Sequence, residues 1–303
     1  LIGTLDPNPF VDDSVHYYSA HFSRVGVAGN GFSIQTVWGG NISTDYTITP
    51  EVDVTILGFF MIYDRHGGYM MSNWLGGNNE QFAIGYLEPL APGPGPDGDC
   101  FYAFCRDNLL NDWIAYATYE VTPDLNKWYA LALVVPAGTH LVPAGGSPTL
   151  YVSDGTTMHG YPMFSETSGA FYGLKPGGAN VLIGSRSAPS YSFDGRIDQL
   201  GVWLNRALTS LQIGSLVAAQ GARYPSLTAA QKVNLRAYWE FDTEDHLATA
   251  LLVTPQYQYL DRLGYSSHVP VGLPPWHATP FDSDVGGVTV VPFPDRAAPV
   301  PIV

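Results

Sequence analysis

The chain is expected to be all-β, an antiparallel two-sheet sandwich with a short closing helix and an extended C-terminal arm. Three observations predict it. Apolar segments of strand length recur from residue 31 to residue 135, separated by Gly, Pro, Asn and Asp clusters. Helix-start chemistry occurs only late, at Thr209 and Thr228. From residue 264 onward Pro recurs so often, at 270, 274, 275, 280, 292, 294, 299 and 301, that the backbone must be extended and short of ladder donors. Recurring strands with helices only at the end are the pattern of a sandwich rather than of an alternating α/β fold.

Taken in order, residues 31–37, 45–48 and 54–63 read as strands, the last a continuous apolar run suited to a buried position. A Gly-rich loop over 66–79 follows, then a strand over 81–87. Residues 90–99, LAPGPGPDGD, form a Pro/Gly loop that fits neither helix nor ladder. Cys100 and Cys105 fall in CFYAFC, which reads as a strand. Five residues of strand put their Cα atoms about 17 Å apart on opposite faces, so they are expected to remain buried thiols. Segments 113–121 and 127–135 are strands joined by a turn containing Pro123 and Asp124.

The most informative stretch is FDGRIDQLGVWLNRALTSLQIGSL, residues 193–216. Strict alternation there places Leu200 and Val202 on one face and Ile197, Gly201 and Trp203 on the other. Thr209 and Gln212 spell a capping box, Gly221 suits the helix end, and Leu211, Leu216 and Val217 are the expected buried residues. A second box, Thr228 with Gln231, opens a helix reaching about residue 235, followed by a strand over 237–241.

This strand and helix are preceded by Lys127-Trp128-Tyr129-Ala130-Leu131, by Leu150-Tyr151-Val152-Ser153-Asp154-Gly155 and by Val181-Leu182-Ile183-Gly184. In that order and spacing the chain resembles the laminin-G-like branch of the concanavalin A-like jelly rolls. Ser153 is an extra residue in the family's "LYVDG" hairpin, and Gln199 stands where an acid is common. The resemblance covers about residues 46–221. It implies three segments: an N-terminal arm with the first strands (1–45), the jelly-roll core (46–222), and a helix, strand and Pro-rich extension (223–303). The family's functions range from sugar binding to adhesion to virion display, so the fold names no ligand.

Composition narrows the function. Charged residues are 13% of the chain, against roughly 25% in an ordinary domain. Aromatics are also 13%, with 19 Tyr, so part of the surface is expected to meet protein or sugar rather than only water. The alternative is that a thick core consumes them. The net charge of −14 excludes nucleic acid as a partner. The longest apolar run is about half the roughly 20 residues that cross a bilayer, so no membrane insertion is expected. The chain begins at Leu1 without a secretion-like segment, which reads as a processed or mature start. The apolar residues of the Pro-rich tail, among them Trp276, Phe281 and Phe293, are expected to dock on the chain's own sandwich or on a neighbouring subunit.

Three sets of residues carry candidate chemistry. For saccharide, the loop DRHGGYMMSNWLGGNN offers Tyr69 and Trp74 as stacking faces with Asn73, Asn78 and Asn79 as amide partners, against the alternative that the loop packs a long hairpin. For metal, Asp154, Asp194 and Asp198 stand in the motifs where related sandwiches hold calcium, although Asp in turns also accepts backbone N–H bonds. For catalysis, Glu240, Asp242 and Glu244 spell E-x-D-x-E, which resembles the acidic motif of laminarinase-type retaining glycosidases. On a strand all three would share one face, with Glu240 as nucleophile and Glu244 as acid. That motif belongs in mid-sandwich, whereas here it follows the closing helix. The same tract also resembles the opening strand of laminin-G-like repeats, with Asp261 and Gly264 downstream. The expected protein is therefore a non-catalytic structural or binding protein on a virion or other extracellular surface, partnered by other protein subunits and a saccharide. A free carbohydrate-binding or adhesion module and a glycosidase are the alternatives.

Overall fold

The computed structural model describes residues 18–26, 36–39, 41–43, 52–62, 68–73, 80–87, 100–117, 123–139, 141–176, 181–184, 193, 195–218, 227–239, 246–249, 256–260, 267–271 and 287–292. Its strands are β1 (Tyr18–Gly26), β2 (Thr36–Gly39), β3 (Asn41–Ser43), β4 (Val54–Ile62), β5 (Gly68–Ser72), β6 (Phe82–Leu87), β7 (Cys100–Arg106), β8 (Asp112–Ala117) and β9 (Trp128–Val135). They continue with β10 (Thr149–Ser153), β11 (Met158–Pro162), β12 (Leu182–Ile183), β13 (Gly195–Leu204), β14 (Leu235–Trp239), β15 (His246–Thr249), β16 (Gln256–Leu260), β17 (Ser267–Val271) and β18 (Gly287–Pro292). Two helices, α1 (Ser210–Ala218) and α2 (Ala229–Lys232), separate β13 from β14.

The strands form two antiparallel sheets. One runs β11-β10-β9-β4-β13-β1-β18, with β14 also on β13 and β2 on β1. The other runs β15-β16-β17-β3-β12-β5-β6-β7-β8. The core lies between them: Ile56, Phe60 and Ile62 of β4 and Tyr129, Leu131 and Leu133 of β9 meet Phe82, Ile84, Phe101, Ala103 and Trp113 of the opposite sheet. The alternate residues of β4 and β9, Leu57, Phe59, Trp128 and Ala130, belong to a second apolar layer with Trp203 and the helix residues Ile213, Leu216 and Val217. Because helices cover that outer face, β4 and β9 are buried on both sides, and their continuous apolar sequence is the consequence.

The helices are pinned by local chemistry. Thr209 and Gln212 exchange bonds as a capping box, 2.9 and 3.3 Å, and Thr228 and Gln231 form the second. Thr55 accepts from the Leu208 N–H and donates to the Arg206 carbonyl, and the Arg206 guanidinium bonds the carbonyls of Ala230 and Val233 at 2.8 Å each.

Three sequence expectations change. Ile197 shares the inter-sheet core with Leu200 and Val202 rather than the face of Trp203. The cause is a bulge: Asp198 faces Phe59 but Gly201 faces Leu57, so three steps on β13 match two on β4, and Gln199 takes a positive φ of 46°. Leu211 is 85% exposed at the start of α1, and Ile213 takes the buried place. The second helix stops at Lys232, because Asn234 turns at φ 61° and β14 begins at Leu235. Of the two placements expected for the tail, the described strands take the chain's own sandwich, β17 on β3 and β18 on β1.

Cys100 and Cys105 lie in β7 with their sulfurs unbridged, Cys105 facing the inter-sheet core. Burial pushes the Cys105 thiol far above its ordinary value, so it is an inert packing group.

Candidate functional site

In a sandwich the outward face of an antiparallel sheet is ordinarily polar. The outer face of β5–β8 is not, and the strand register shows how it is built. Tyr69 pairs with Gly85, Gly85 with Tyr102, and Tyr102 with Tyr116, so these four residues form one row across four strands. The row spans three inter-strand spacings, about 14 Å. Beside it runs a second row, in which Ser72 pairs with Ala83, Ala83 with Phe104, Phe104 with Ile114, and Ile114 with Phe164 through a two-bond bridge of 2.9 and 3.0 Å. A third row closes the face with Arg106 opposite Asp112.

The side chains form a floor and a rim. Tyr102 and Phe104 are each 7% exposed, while Tyr69, Ile114 and Tyr116 are half-buried around them and Phe164 is 53% exposed. Tyr69 meets Tyr102 edge-on at 5.8 Å, and Tyr116 meets Phe164 at 6.4 Å. Gly85 makes the first contact possible. A Cβ there would stand 2.6 Å from the Gly68 carbonyl oxygen and 2.8 Å from the Tyr102 ring. The face therefore offers aromatic rings, tyrosine hydroxyls and a charged border, the elements of a shallow saccharide site.

Its charged border is internally paired. The Arg106 guanidinium lies 5.6 Å over the Phe104 ring, 2.5 Å from a Glu80 carboxylate oxygen and 2.7 Å from one of Asp112. The hydrogen bond to Asp112 raises the Arg106 pKa above its ordinary value, burial opposes this, and the Asp112 and Glu80 charges add to the rise.

Of the saccharide residues expected from sequence, Tyr69 lies on this face. Asn73 is fully buried, and its side-chain oxygen accepts from the Gln81 and Phe82 N–H groups at 3.1 and 3.0 Å while its amide nitrogen bonds the Gln81 side-chain oxygen. Gln81 in turn donates to the Lys175 carbonyl at 2.6 Å. Asn73 thus ties the β5–β6 hairpin together and is not available to a sugar. Trp74, Asn78 and Asn79 lie outside the described residues.

Of the expected calcium ligands, Asp154 and Asp198 are not brought together. Asp198 faces Phe59, Phe59 faces Ala130, and Ala130 faces Ser153, so three strand spacings, about 14 Å, separate Asp198 from the residue beside Asp154. Asp198 is fully buried in the β13 bulge, where it accepts from the Gln199 N–H at 2.8 Å. Asp154 accepts from the Thr156 N–H and hydroxyl and the Thr157 N–H, with Lys127 at 3.6 Å. Burial pushes its carboxyl up, but the Thr156 and Thr157 bonds and the Lys127 charge together hold it well below the usual range. Among the described residues no three His, Cys, Asp or Glu side chains gather in a way that would hold a metal. Asp194 and the acidic residues Glu240, Asp242 and Glu244 lie outside the described residues. Among the described residues no helix is long and apolar enough to cross a membrane.

Tyr102, Phe104, Tyr116 and Phe164 were not legible as a set. The available signal was in CFYAFC and DWIAYA, where the positions expected to face water are aromatic or aliphatic as well.

No family model and no curated protein matches the sequence. Among solved structures, a protein from Bacteroides ovatus described as a candidate carbohydrate-binding protein is similar at a TM-score of 0.53 and 14% identity, over 93% of this chain. The match spans 62% of that protein's length. A heptameric pentraxin from Limulus polyphemus matches at a TM-score of 0.44 and 16% identity, over 69% of this chain and 85% of its own. Domains LG4-5 of the mouse laminin α1 chain match at a TM-score of 0.36 and 13% identity, over 63% of this chain and 44% of theirs. Two facing antiparallel sheets with this likeness give the chain the concanavalin A-like jelly-roll fold.

Proposed function

We propose that the chain is a non-catalytic binding protein that holds a saccharide on the outer face of β5–β8. The observation that carries this reading is the pair of rows Tyr69–Tyr102–Tyr116 and Phe104–Ile114–Phe164, an apolar and aromatic surface where a solvent face should be polar. The described carbohydrate-binding character of the Bacteroides protein supports it by analogy of fold. Tyr116→Ala and Phe164→Ala are each expected to weaken polysaccharide binding about tenfold while leaving the melting temperature nearly unchanged, since both rings are partly or largely exposed. Affinity electrophoresis in gels containing laminarin or mixed-linkage glucan measures this. Mobility unaltered by either substitution would place the site elsewhere. The same polysaccharides are expected to yield no reducing ends with the wild type, and hydrolysis lost in both Glu240→Gln and Glu244→Gln would establish the glycosidase instead.

The second reading, a subunit of a larger particle such as a phage virion or another extracellular surface, is supported by aliphatic side chains held out on short loops. Leu141 is 78% exposed, Val142 61% and Leu110 54%. Light scattering of the purified chain is expected to show a defined oligomer, and a monomer at all concentrations would remove this reading.

A further inference from the structure

We infer that the saccharide held on this platform is uncharged, and that the charged groups bordering the face turn away sulfated and uronic-acid chains. The inference rests on the saccharide-binding reading and names the ligand class of that site. A platform for acidic polysaccharides needs cations free to meet them, usually arginine forks. Here the guanidinium at the border is already committed, with Glu80 at 2.5 Å, Asp112 at 2.7 and 3.3 Å, and the Phe104 ring beneath it. Its side chain is 14% exposed, so an arriving sulfate would have to break a half-closed pair before gaining a contact.

The same end of the face carries a further carboxylate, Glu166, because the Thr167 hydroxyl beside it bonds the Asn111 side-chain oxygen next to Asp112 at 3.1 Å. The Tyr116 hydroxyl is pushed up by burial first, then by the Cys100 thiol and the Glu166 carboxylate. Glu166 is exposed and follows Phe164 by two residues. The Lys175 backbone N–H bonds the Arg106 carbonyl at 2.9 Å, so a second cationic residue lies at this end. Among the described residues, the Arg106 charge is thus met by the carboxylates of Glu80 and Asp112, with Glu166 exposed nearby, on a chain whose net charge is −14. A neutral sugar loses nothing to this field, because its ring face stacks on tyrosine and its hydroxyls bond tyrosine hydroxyls and carboxylates. An anionic sugar meets repulsion, and the Arg106 charge that would offset it is already paired with Glu80 and Asp112.

The test uses the full chain at low salt, where screening is weakest. Retardation is compared in gels containing laminarin or mixed-linkage glucan, alginate and carrageenan, for wild type and for Asp112→Asn combined with Glu166→Gln. The wild type is expected to bind the neutral glucans at least about tenfold more tightly than alginate or carrageenan. The double variant, with Arg106 released from one partner, is expected to raise carrageenan binding severalfold relative to laminarin. Equal retention of carrageenan or alginate by the wild type would overturn the inference while leaving a saccharide-binding protein. An unmoved carrageenan-to-laminarin ratio in the double variant would overturn it too, by removing these carboxylates as the cause. Retardation by none of the polysaccharides would defeat the saccharide reading itself, and the inference with it.

Discussion

Trp203→Ala is expected to cost about 3 to 5 kcal/mol of folding stability. Trp203 is fully buried and joins the layer formed by Leu208, Ile213, Leu216 and Leu227 on the outer face of the β4–β9 sheet. Its ring lies against Gly201, where a Cβ would stand 2.7 Å from it, and the position is a glycine for that reason. The indole N–H donates to the Gln231 carbonyl at 2.8 Å, which ties α2 to the strand 28 residues earlier. Truncation would therefore remove both a large apolar volume and the anchor of a four-residue helix that cannot persist by itself. Urea melts followed by fluorescence and by far-UV dichroism measure the loss. A change below about 1 kcal/mol would mean that the helices do not depend on this ring.

Asp107→Ala is expected to cost about 3 kcal/mol, through orphaned donors rather than lost volume. The Asp107 side chain is fully buried at the end of β7. One of its oxygens accepts from the N–H groups of Leu109 and Asn111, both at 2.9 Å. The Asn111 amide bonds both oxygens, and the Trp113 indole N–H bonds the second at 3.2 Å. These bonds hold a loop in which Leu110 takes a φ of 68°, a conformation unfavourable for leucine, and in which Asn108 is stitched to the carbonyls of Tyr172 and Gly173. Asp107→Asn keeps one acceptor oxygen but sets an amide against the Asn111 amide and the indole, so its cost should fall between wild type and alanine. Melting of the alanine variant within 0.5 kcal/mol of wild type would show that water replaces the carboxylate without loss.

Local patterns decided much of this protein in advance. The two capping boxes, at Thr209 and Thr228, use residues three apart, so nothing distant can alter them. The apolar runs that became β4 and β9 were legible because every residue in them answers to the same burial requirement, and the hairpin built on Leu150 to Gly155 because buried Leu150 and Val152 alternate with half-buried neighbours up to a Gly turn. What the tertiary structure alone decided were matters of register. One extra residue at Gln199 moved Ile197 to the other face of β13, and only the opposing β4 strand, with Gly58 beside Leu200, shows where that residue is inserted. Leu211 and Ile213 are equally apolar in sequence, and the direction in which α1 lies on its sheet chose between them. The candidate site is the clearest case. Tyr69 could be singled out within its own loop, but Tyr102, Tyr116 and Phe164 come from three further segments and become neighbours only when β5, β6, β7 and β8 pair in one register. A strand such as CFYAFC, apolar at every position, satisfies burial with either face inward, so which aromatics point to the core and which form the platform is settled by the pairing and not by the residues themselves.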